Sequence, residues 1–120
     1  QSLAARLRST ARDGRLPPWD RWWPEAVLEA MLPDAAMRCD FIAELPSLPL
    51  AYCEERAPDI SLPEKFPCAY LQLSSGYDRE VHEAENHGWP TRRLPLHHLA
   101  MLTHPDNVAD GLCGLAQAIA

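Results

Sequence analysis

The chain has 120 residues, 47% of them hydrophobic, and a formal net charge of −6. That length and composition fit a folded globular chain and exclude disorder, while the acidic balance argues against a nucleic-acid partner, which needs a basic face. No apolar run approaches the ~20 residues that span a bilayer, so no membrane partner is expected.

Ser2 to Arg12 reads as a helix with Leu3, Leu7 and Ala11 on one stripe, stopped by Gly14. Leu16-Pro17-Pro18-Trp19 is extended, because a residue before proline is pushed out of the helical region. Pro24 starts a short helix to Leu32. Asp34 is a good cap for a helix from Ala35 to Leu45, and Ser47 for one from Leu48 to Arg56 with Pro49 in its first turn. Nine of the twelve prolines precede Cys68, so this half is a set of short helices joined by stiff turns. From Ala57 to Phe66 no periodic pattern exists and a connecting loop is expected.

Beyond that loop the pattern changes. Cys68 to Leu73 is a six-residue apolar run that fits a buried parallel strand. A helix from Asp78 to Asn86 follows, with Tyr77, Val81 and Ala84 facing inward, and then a shorter strand from about Thr91 to Leu94. Pro105 suits the first position of a closing helix, whose face is expected to be Val108, Leu112, Leu115 and Ile119. The expected class is α/β, a mostly helical region over residues 1–66 followed by a β-α-β-α segment over 67–120 with two parallel strands. Two parallel strands leave open edges that one crossover helix and one terminal helix do not cover. Something has to pair with Cys68–Leu73: a missing segment of the same fold, a separate chain equivalent to it, or a second copy.

The run Leu96-His97-His98-Leu99-Ala100-Met101-Leu102, followed by Pro105-Asp106-Asn107-Val108-Ala109, resembles the C-terminal end of the α/β-hydrolase family. There the last strand leads to a loop with the catalytic histidine, an apolar residue, a Met-Leu pair and a Pro-x-x-Val-Ala helix start. Upstream, Gly14-Arg15-Leu16-Pro17-Pro18-Trp19 with Trp22-Trp23-Pro24, and Glu44-Leu45-Pro46-Ser47-Leu48-Pro49, resemble a helical cap of that family. The likeness covers nearly the whole chain, but only the second half of the family's fold.

The resemblance implies hydrolysis or transfer of the acyl group of a small ester, thioester, amide or lactone, with His98 as general base. It places Trp19, Trp22, Trp23 and Leu99 against the substrate. For the acid it offers Asp78, displaced from the usual position where Ser75 and Gly76 stand, or a carboxylate from an earlier strand. Asp78 is equally a residue that favours the start of its helix. His97 stands where the family carries glycine, and the sequence has no Gly-x-Ser-x-Gly elbow, so the nucleophile has to come from a missing N-terminal half. A second reading is a non-catalytic remnant acting as a dimerising or ligand-binding module, with His98 merely packing a turn.

Neither a cofactor nor a metal is expected. His82 and His87 are five residues apart, which turns them about 140° from one another on a helix. The four cysteines lack metal spacing and are expected to be reduced and buried, which implies a cytoplasmic setting. The chain starts at Gln1 without an initiator Met, suggesting an internal start.

Overall fold

The computed structural model describes residues 3–56, 58 and 66–120. Most of the expected loop from Ala57 to Phe66, and Ser2, lie outside the described residues. The chain divides into two units, Gln1–Ile60 and Ser61–Ala120. Among the described residues it is mostly helical, with one two-stranded parallel sheet.

In the first unit α1 (Leu3–Thr10) buries Leu7 and ends in a reversal that the helical pattern concealed. Asp13 (φ +49°) and Gly14 (φ +71°) both lie in the left-handed region, the backbone of a tight hairpin turn, and Arg12 and Arg15 exchange both backbone hydrogen bonds at 2.9 Å. The returning strand lies against a later one: Leu16 N–H donates to Leu48 O at 2.7 Å, and Leu50 N–H to Gly14 O at 2.9 Å. Ser47 therefore does not cap a helix. Its hydroxyl donates to Leu16 O (2.7 Å), and α4 begins only at Leu50, running Leu50–Glu54.

A 3₁₀ turn covers Trp19–Trp22, and α2 spans Glu25–Met31. Asp34 caps α3 (Ala35–Glu44) as expected, accepting from Met37 N–H at 2.7 Å. Leu7, Leu16, Leu28 and Leu32 form the apolar centre.

In the second unit β1 (Tyr70–Gln72) pairs in parallel with β2 (Thr91–Arg93), Leu71 opposite Arg92. Between them lies α5 (Asp78–Asn86), and after β2 come α6 (Ala100–Thr103) and α7 (Pro105–Ala118). Both strands are shorter than expected. The apolar run is also not fully buried: Tyr70, Leu71 and Leu73 are half-buried and only Gln72 is enclosed, because among the described residues β1 has a partner on one edge alone.

Val81 and Ala84 of α5 are buried, whereas Tyr77 lies in the 3₁₀ turn before the helix and is 38% exposed. The inner face of α7 is Val108, Gly111 and Leu115, with Leu112 at 54% exposure turned outward. Gly111 explains the rotation. A methyl there would stand 3.1 Å from Leu71 Cδ1 and 3.4 Å from Leu94 Cδ1, so the absent side chain is what lets α7 approach the strand pair.

The cysteines correct a further expectation. Cys39, Cys53 and Cys113 are exposed and Cys68 is half-buried; all four are free thiols. Among the described residues no helix is long and apolar enough to cross a membrane.

Candidate functional site

Parallel strands in α/β folds carry their chemistry at their C-terminal ends, where the loops emerge. In the second unit those loops hold the Ser74–Asp78 turn after β1 and the His97-His98 turn after β2. The two meet through an aromatic contact. The His98 imidazole stacks on the Tyr77 ring with centroids 5.3 Å apart and planes 21° apart. His98 is exposed, and among the described residues no hydrogen bond reaches its ring.

Asp78 is held differently. The buried Gln72 side chain directs its amide N–H groups to Asp78 Oδ1 (2.5 Å) and Ser74 O (3.0 Å), fixing the turn that opens α5. Asp78 lines an open cleft of about 420 Å³ with Gln72, Ser74, Arg93 and Leu94. His98 lines a separate groove of about 170 Å³, walled by Tyr70, Leu71, Leu73 and Met101. The structure thus brings both residues to the same end of the strand pair without a hydrogen bond between them. Leu99 is buried and immediately precedes α6.

His97 forms a cluster that its sequence position does not announce. Its Nε2 lies 2.9 Å from Thr103 Oγ1, which lies 2.8 Å from His104 Nδ1, and the two imidazoles stand edge to face at 6.1 Å. Its Nδ1 is buried without a partner among the described residues. Burial, and secondarily the nearby His104, hold the His97 pKa below the usual histidine value.

The remaining histidines belong to surface contacts. His82 lies 3.1 Å from Glu85, and His87 stacks on Trp89. Hydrogen bonding from His82, and next from Arg93, lowers the Glu85 pKa. Among the described residues no three His, Cys, Asp or Glu side chains are grouped to hold a metal ion.

In the first unit Trp19 packs edge to face on Trp23 (6.5 Å) and on Phe41 (6.2 Å). Trp22 is half-buried, its indole N–H donating to Pro17 O at 2.8 Å, which makes it part of the packing of the proline turn. Trp23 is the most open of the three and walls a cleft of about 390 Å³ together with Leu28 and Ile42.

Comparison with protein-family models, with curated proteins and with solved structures finds no match to this chain.

Proposed function

We propose that the chain is the cap and C-terminal part of an α/β-hydrolase-like enzyme acting on acyl groups of small esters, thioesters, amides or lactones. His98 is its general base. The nucleophile and the backbone N–H groups that stabilise the developing oxyanion come from a segment outside these residues. The reading is supported above all by the position of His98: solvent-open, past the end of a parallel strand, stacked on the loop of the neighbouring strand and bordering a groove along β1. A base there is free to meet a nucleophile delivered beside β1. Because Gln72 already holds Asp78, a carboxylate from the absent segment is the better candidate to orient His98.

The test uses the longer protein that carries the nucleophile. His98→Ala is expected to lower p-nitrophenyl ester turnover by about 10²- to 10⁴-fold, the usual contribution of a general base. Asp78→Asn is expected to cost about ten-fold or less, since its carboxylate acts on the turn rather than on the imidazole. Unchanged turnover in His98→Ala removes the base assignment.

A non-catalytic module is the second reading, favoured by the absence of any carboxylate on the His98 ring among the described residues. It predicts that the longer protein hydrolyses no activated ester while this chain still binds a small ligand or pairs with a copy of itself.

A further inference from the structure

Asp20 stands out in the first unit as a carboxylate placed where water barely reaches. Its side chain is 10% exposed; Oδ2 accepts from Arg21 Nε at 3.0 Å, and Oδ1 is buried with no hydrogen-bond partner among the described residues. A carboxylate this far from water, held on Oδ2 by one exposed guanidinium nitrogen, is incompletely compensated for its desolvation, and a ligand that brings a stronger donor to Oδ2 recovers part of that cost.

The surroundings say which donor. Asp20, Arg21 and Glu25 line the 390 Å³ cleft together with the apolar side chains of Trp23, Leu28 and Ile42. That volume lies in the ordinary range for small-ligand sites, apolar walls with a few fixed polar groups. Arg38 also borders the cleft, but its guanidinium is spent on the carbonyl oxygens of Leu32 (2.5 Å) and Pro33 (3.2 Å). Arg21 is the reverse case. Its side chain is 75% exposed, and Asp20 is its one side-chain partner among the described residues, so it swings off at little cost.

We propose that this cleft binds a small molecule bearing a cationic nitrogen next to an apolar body, the ammonium or guanidinium displacing Arg21 from Asp20 and the apolar part lying along Trp23, Leu28 and Ile42. The proposal uses no residue of the second unit. Its failure leaves the His98 assignment standing, and loss of that assignment leaves this one standing.

Phenethylammonium is the probe, titrated into the full chain and followed by calorimetry and tryptophan fluorescence, with 2-phenylethanol and 3-phenylpropionate as neutral and anionic analogues. The ammonium is expected to bind about ten-fold or more tighter than either, the worth of one charge-assisted hydrogen bond. Asp20→Asn, with its fold checked by circular dichroism, is expected to erase that preference. Arg21→Ala, a change at an exposed side chain, is expected to tighten ammonium binding by about three-fold or more by vacating the carboxylate. Equal binding of ammonium and alcohol by the natural chain overturns the proposal. So does stronger binding of the carboxylate, an ammonium preference that survives Asp20→Asn, or an Arg21→Ala chain that binds the ammonium no tighter.

Discussion

The Thr103 hydroxyl sits between His97 and His104 with one proton to give, so it donates to one ring and accepts an N–H from the other. That arrangement suits neutral imidazoles. Protonating His97 puts a charge on a ring shielded from water and close to His104, which is why its pKa falls in the folded chain. The sign follows from linkage: the unfolded chain takes up this proton first, so the stability His97 contributes is complete above its unfolded pKa and is lost as pH falls toward the lower folded value. The melting temperature should therefore drop between about pH 7.5 and pH 5, and His97→Gln should make that drop shallower. An identical pH profile in the variant means that other groups carry the titration. His97 also shows where sequence reading stops. Its place beside His98 was legible, but its contact with Thr103 depends on the path of the chain between them.

At the scale of elements, local chemistry was readable wherever one residue decides a boundary. Asp34 caps α3 through Met37 N–H, and Pro105 opens α7. The Asp13-Gly14 pair was equally readable as a hairpin signal, but a helix stop at Gly14 was the simpler expectation. The face of α7 was readable at Val108 and Leu115 but not between them. Apolar spacing nominates Leu112, yet packing against two strands selects the residue without a side chain, Gly111. Two substitutions in one helix separate these effects. At Gly114 a methyl meets only the tip of Arg92, a flexible end that moves aside, so Gly114→Ala is expected to stabilise the chain by about 0.5–1 kcal/mol through helix propensity. Gly111→Val pushes branched carbons into Leu71 and Leu94 and is expected to destabilise by about 1–3 kcal/mol. Denaturant midpoints of the two variants give the comparison directly. If both move the same way, the close approach of α7 to β1 is not what fixes its face.

For the molecule as a whole, the sequence correctly gave two parallel strands, but a fully buried β1 required a neighbour that the described residues do not supply. In a parallel ladder, alternate residues of a strand bond to opposite sides. Tyr70 N–H donates to Pro90 O and Gln72 O accepts from Leu94 N–H, so the even positions of β1 face β2. Leu71 faces the other way, and its N–H and C=O have no partner among the described residues. Such an edge is a template for another strand. The groove beside His98 runs along Leu71 and Leu73, so a strand added there arrives next to the proposed base. Amide hydrogen exchange distinguishes the two sides. In this chain alone, Tyr70 and Gln72 are expected to be protected while Leu71 between them exchanges at nearly the rate of a loop amide. In the longer protein, pairing at that edge should bring Leu71 to the protection of its neighbours. If Leu71 is already protected in the isolated chain at high dilution, the edge is closed from within, and the route proposed for bringing a nucleophile to His98 is lost.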